Sequence, residues 1–204
     1  MNASPLTALA ITCTLKPSPA ASSSDLLAAQ ILGALAEHGV VGETVRAVDH
    51  TIAPGVEADM GAGDDWPMLR RRVLDADILV LVTPTWLGQH SSVAQRVLER
   101  LDAELGATDA RGRPTLFDKV ALAGIVGNED GAHHIAAILF QALDDVGFTI
   151  PAQGSVYWNG EAMHTTDYKD LAQTPEKVAE AIATSARNAA HLARALRERE
   201  YPAG

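Results

Sequence analysis

Residues Ile78 to Arg100, ILVLVTPTWLGQHSSVAQRVLER, decide the fold. Ile78 to Val82 is apolar at every position, so a strand there is covered on both faces, as at the centre of a parallel sheet. Pro84, Thr85, Trp86, Gly88, Ser91 and Ser92 follow as a turn-forming loop, and Val93, Val97 and Leu101 then recur at helical spacing. Open α/β sheets bind ligands outside the carboxyl ends of their strands, which makes this loop the first place to look for a site.

The flanking sequence supplies strands to lay beside this one. Leu6 to Cys13 reads as a buried first strand, and Thr14 to Ser24 (TLKPSPAASSS) as a hydroxyl-rich loop whose prolines forbid a regular helix. Its serine cluster provides an N-cap for a helix starting at Asp25, with Leu26, Leu27, Ile31, Leu32 and Leu35 on one face and Gly39 as a stop. Glu43 to Val48 alternates as a second strand, Asp49 to Asp65 lacks apolar periodicity and is a long loop, and Trp66 to Ala76 is helical. Downstream, Gly106 to Pro114 is a polar turn region and Lys119 to Val126 a fourth strand. GNEDGAHH (Gly127 to His134) then opens a helix with Ile135, Ile138, Leu139 and Leu143 inward, stopping near Gly147. A short fifth strand is centred on Ser155 to Trp158, Asn159 to Gln173 is irregular, and Thr174-Pro175-Glu176 starts a long terminal helix. Strands alternating with helices predict an α/β fold: a five-stranded parallel sheet with right-handed crossovers and helices on both faces. No internal repeat or domain boundary is visible, so residues 1–204 are expected to form one domain.

Composition removes several functions. A net charge of −10 argues against nucleic acid or an anionic membrane as the main partner, since both need a dense basic surface. Arg70-Arg71-Arg72 is expected as a solvated helix face. The single Cys13 permits no intrachain disulfide and no cysteine-based zinc site, and at the end of a buried strand it reads as a core residue rather than a nucleophile. MNASPLTALAITC lacks a basic start followed by a long apolar run, and no apolar run approaches the roughly 20 residues of a membrane helix. A cytoplasmic location is the expectation.

The chemistry-bearing residues fall on loops after the first, third and fourth strands. In a sheet of order 2-1-3-4-5, chain direction reverses between strands one and three and opens a crevice that these loops border. The first loop sets Lys16, Ser18, Ser22, Ser23 and Ser24 before a helix N-terminus, either an anion site suited to phosphate or a plain serine-rich cap. It matches neither G-x-x-x-x-G-K-[ST] nor G-x-G-x-x-G, so triphosphate hydrolysis and Rossmann-type dinucleotide binding have no direct support. Trp86, between Pro-Thr and Gly88, is either a core residue or a flat wall for a conjugated ring. In the third loop Gly127 and Gly131 allow close backbone approach, with Asn128, Glu129 and Asp130 as polar contacts. Glu129, Asp130, His133 and His134 have metal-ligand chemistry, but adjacent helical histidines point about 100° apart, and no metal is expected. No serine sits in a G-x-S-x-G elbow. Tyr157 to His164 (YWNGEAMH) is either a rim or subunit contact or an ordinary packed loop.

PTWLGQHSSVAQRVLERL, TLKPSPAASSS and GNEDGAHH together resemble the three cofactor loops of the flavodoxin-like superfamily, in its NADPH-dependent FMN reductase and flavodoxin-family oxidoreductase branch. The likeness covers Leu6 to about Trp158. It implies a three-layer sandwich binding FMN, with the phosphate held among Thr14, Lys16, Ser18, Ser22, Ser23 and Ser24. The ring would lie between Pro84, Thr85, Trp86, Leu87 and Gly88 on one side and Gly127, Asn128, Glu129, Asp130, Gly131 and His134 on the other, with Trp86 and His134 at its edge. The first loop departs from the T-G-x-T core of small electron-carrier flavodoxins, which leaves the individual phosphate ligands open. The resemblance implies an oxidoreductase taking hydride from NADPH or NADH and reducing a quinone, free flavin or other small acceptor, in a homo-oligomer. The alternative is a flavodoxin-type electron carrier. In either case the flavin carries the chemistry, and no acid–base residue is named.

Overall fold

The computed structural model describes residues 4–202. Its chain runs β1 (Leu6–Thr12), α1 (Ser23–Glu37), β2 (Val40–Arg46), α2 (Trp66–Asp75), β3 (Ile78–Trp86), β4 (Gln89–His90), α3 (Ser92–Leu101), β5 (Val120–Gly127), α4 (Ala132–Asp145), β6 (Ser155–Asn159) and α5 (Glu176–Glu198). The main sheet has the order β2-β1-β3-β5-β6, all neighbours parallel, with β4 antiparallel to the end of β3. Setting β4 aside, this is the expected 2-1-3-4-5 order of a flavodoxin-like sandwich.

The pleat explains the layers. Alternate residues of one strand point to opposite faces, so Leu79 and Leu81 join Leu9, Ile11, Ala123 and Ile125 in a core under α2, α3 and α4, where Trp66, Leu69, Val97 and Leu139 meet them. Ile78, Val80 and Val82 join Ala8, Ala10 and Leu122 in a second core, filled by Leu27 and Ile31 of α1 and by Ile182, Ala186 and Ala190 of α5. Both faces of β3 are therefore buried, which is why its sequence runs apolar without alternation.

Three boundaries differ from expectation. β3 continues through Pro84, Thr85 and Trp86, because the chain folds back at Leu87-Gly88 and pairs Thr85 with His90 and Trp86 with Gln89. The expected loop is thus a hairpin, and a two-residue turn with φ of 51° at Leu87 and 72° at Gly88 closes it. β2 begins at Val40, and Ala47–Asp49 is a 3₁₀ turn rather than a strand end. Two further such turns are Asp102–Gly106 and, within the Asn159 to Gln173 region, Tyr168–Asp170. Gly39 ends α1 with φ 73°, as the sequence anticipates. Of the arginine triplet, Arg71 faces solvent, whereas Arg70 pairs with buried Glu104 and Arg72 with Glu43. Among the described residues no helix is long and apolar enough to cross a membrane.

Candidate functional site

At the carboxyl edge of the sheet a cavity of about 450 Å³ lies between four segments: Thr14 to Lys16 with Ala21 to Ser24, Pro84 to Leu87, Val126 to Glu129, and Trp158 with Ala162, Met163 and Asp167 to Lys169. Its size falls in the range of small-molecule sites, about 300–1,000 Å³.

The first wall is the start of α1. Ser22 is the N-cap, its hydroxyl accepting from the Asp25 amide at 3.3 Å. The amides of Ser23 and Ser24 stand in the first turn, where a helix offers them no acceptor, so they favour an anion. Asp25 in the same turn would oppose one, but Arg46 pairs with it. The same guanidinium donates to the carbonyls of Lys16 at 3.1 Å and Ala20 at 2.9 Å, and so shapes the loop. Ser18 stands outside the cavity. Its amide and hydroxyl donate to Asp49 at 2.8 and 2.6 Å, and these bonds hold the Asp49 carboxyl below its usual range.

The second wall is the hairpin. Trp86 is 53 % exposed, so it is a cavity wall and not a core residue. The Leu87 amide donates to the Glu129 carboxylate at 2.8 Å, tying the hairpin tip to the third loop. Ser91 anchors the hairpin's return: its amide donates to the Thr83 hydroxyl at 3.0 Å, and its own hydroxyl donates to the Cys13 carbonyl at 2.6 Å while capping α3. Thr85 is 3 % exposed, and its hydroxyl has no partner although the residue lines the cavity.

In the third wall, a Cβ on Gly127 would lie 2.7 Å from the Thr85 Cβ, so only glycine lets β5 approach β3 there. Gly88 and Gly131 lie behind the cavity and touch each other: a Cβ on Gly131 would come within 2.8 Å of Gly88. Asp130 is exposed and also outside. His134 turns to Gln89 at 3.1 Å and His133 to the Tyr157 hydroxyl at 3.0 Å, so neither lines the cavity and the pair diverges. Among the described residues no three His, Cys, Asp or Glu side chains gather as a metal site would need.

The fourth wall begins in the Tyr157 to His164 stretch read as a rim or an ordinary packed loop, with Trp158, Ala162 and Met163 lining the cavity, and continues through Asp167 to Lys169, which sequence reasoning missed. Asn128 donates from Nδ2 to the His164 carbonyl and to Asp167, both at 3.2 Å, and Gly160 donates to the Gly127 carbonyl at 2.7 Å. At the other end the Lys169 amide donates to the Ser23 hydroxyl at 3.3 Å. Residues 160–169 therefore strap the end of β5 to the start of α1. Tyr168 anchors the strap: it is 2 % exposed, stacks obliquely on Trp158 at 5.5 Å, and donates to Gln30 at 2.6 Å. Burial pushes its phenol pKa up. Beyond that stretch the sequence gives no signal, since residues 165–169 have no periodicity.

These features suit a flat ligand carrying an anionic tail. Trp86 and Trp158 supply flat surfaces, the first turn of α1 an anion seat, and Thr85 an unused buried hydroxyl.

Comparison with known proteins agrees. Residues 7–162 match the family model of NADPH-dependent FMN reductases. A stretch of 169 residues, 81 % of the chain, is 46 % identical to part of the divalent metal cation transporter MntH of Mycobacterium bovis, and spans only 25 % of that protein's length. The 8-demethyl-8-aminoriboflavin-5'-phosphate synthase of Streptomyces davaonensis is 34 % identical, over 96 % of this chain and 80 % of the synthase. Among solved structures, RosB with bound 8-demethyl-8-formylriboflavin-5'-phosphate superimposes with a TM-score of 0.87 at 31 % identity, covering 96 % of this chain and 82 % of RosB. With more than half its length inside the family model, the chain belongs to the family of NADPH-dependent FMN reductases, flavodoxin-like proteins that bind FMN.

Proposed function

We propose that the protein is an FMN-dependent NAD(P)H oxidoreductase acting on a small oxidised acceptor such as a quinone or a free flavin. Bound FMN supplies hydride acceptance from a nicotinamide and its delivery onward. The chain's own residues bind and orient. The Ser23 and Ser24 amides and the Ser22 cap receive the phosphate, Trp86 and Trp158 confine the ring, and Glu129 holds the hairpin tip against the third loop. Asn128 fixes the strap that covers the fourth side and limits water at the ring. The observation carrying this reading is the cavity at the switch between β1 and β3, which the free first turn of α1, Thr85 and two tryptophans line together.

Two measurements test it. The purified protein should retain a yellow flavin absorbance after addition and removal of FMN, and should oxidise NADPH in steady state when a quinone is present. Retained flavin without turnover would favour an electron carrier. No retained flavin would remove the reading altogether.

A second reading is favoured by the 34 % identity to a synthase of a modified riboflavin phosphate over 96 % of the chain. On it, riboflavin-5'-phosphate is the substrate and its ring is altered. Mass spectrometry of flavin recovered after aerobic incubation separates the two, because a reductase returns FMN at its original mass.

A further inference from the structure

We propose that Lys169 is a binding residue of this site, its ammonium taking a phosphate monoester beside the first turn of α1. The inference rests on the FMN reading above and adds a cation from a distant part of the chain, beyond the 7–162 span that matches the family model. Lys169 lines the cavity, and its amide bond to Ser23 places it next to the anion seat. Buried Tyr168 just before it, fastened to Gln30 on α1, leaves the backbone little freedom to move away.

The donor count leaves room for a ligand. An ammonium has three donors, and Lys169 uses one on Asp167 at 2.9 Å and one on Asp170 at 2.7 Å. One remains. The two aspartates are about half exposed, while the lysine side chain is only 23 % exposed. They fix the ammonium's position and oppose an anion by their charge, while one N–H donor stays uncommitted. A second sign that a ligand belongs in this cavity is Thr85, which also lines it and carries a buried hydroxyl without a partner.

Two molecules bring a phosphate monoester here: FMN, through its 5'-phosphate, and NADPH, through its 2'-phosphate. The test uses the full chain as wild type, Lys169→Met and Lys169→Arg. FMN and riboflavin affinities are read by flavin fluorescence titration, and KM values for NADPH and NADH in steady state. The expected result is that K169M loses roughly tenfold of the FMN-over-riboflavin preference, as for one charge-assisted hydrogen bond, while K169R keeps most of it and riboflavin affinity is unchanged. A loss confined to the NADPH-over-NADH preference would assign the same contact to the dinucleotide. Asp170→Asn, which removes an opposing charge and leaves the lysine, should strengthen whichever preference applies. Unchanged preferences in K169M, with wild type preferring the phosphorylated ligands, would overturn the role of Lys169 and leave the FMN site standing. A wild type that prefers neither FMN nor NADPH would instead overturn the phosphate assignment from which the inference starts.

Discussion

Thr85 shows how one side chain can be costly to the free protein and useful to the complex. A buried hydroxyl without a partner costs about 1–3 kcal/mol, and this one is pressed against Gly127, where no other residue fits. Thr85→Val keeps the shape and removes the orphan. Flavin-free protein with this change should melt at the same temperature or a few degrees higher, while FMN affinity falls about five- to tenfold. A lower flavin-free melting temperature would mean that the hydroxyl already has a partner. At this scale the sequence was informative where chemistry is local. The serine cluster was legible as the cap of α1, although the cap is Ser22 and the helix starts at Ser23, two residues before the expected Asp25. The sequence could not separate residues that line the cavity from those that only hold the loops. Ser18, Gly88, Asp130, Gly131 and His134 sit in the right loops and face elsewhere, and only the fold decides that.

Among the elements, α3 does more than its apolar stripe suggests. Val97 and Leu101 face the core as their spacing predicts, yet Arg100 beside them is fully buried. It pairs with Asp64 at 2.8 Å, donates to the carbonyls of Ala53 and Glu57, and lies 5.6 Å from the Trp66 ring centre. The long loop after β2 is thereby pinned, which apolar periodicity could not reveal because the partners are main-chain carbonyls and one carboxylate. Arg100→Ala should destabilise by about 3–5 kcal/mol in urea unfolding, since it strands a buried carboxylate. Burial alone would raise the Asp64 pKa, but the Arg100 contact and the amides of Met60, Trp66 and Ala53 together outweigh it and hold the carboxyl far below its usual range. A depressed carboxyl pKa gives stability that is present above the unfolded value, about 3.9, and lost as pH falls toward the folded value. Stability should therefore drop below about pH 4 in wild type, and urea midpoints measured down that limb should fall less steeply in Asp64→Asn.

Across the molecule, the sheet order was legible because strand-helix alternation leaves few topologies, and the apolar run of β3 marked its centre. β3 and β5 have a strand on each side and helices on both faces, so their amides should exchange with solvent only through global unfolding. The strap at 160–167 should exchange far sooner, and added FMN should slow it. Hydrogen exchange read by mass spectrometry checks both, and a strap unaffected by FMN would place it off the site. The second half of the fourth wall, Asp167 to Lys169, stayed hidden because it has neither a period nor a motif, only the tethers at Asn128 and Ser23. Those few tethers bear on how such a protein diversifies. Most of the strap lies past residue 162, where the match to the family model ends, while the other three walls lie inside it. A lineage can rewrite about ten residues there and change what enters, leaving untouched the strand ends on which the sheet's folding depends.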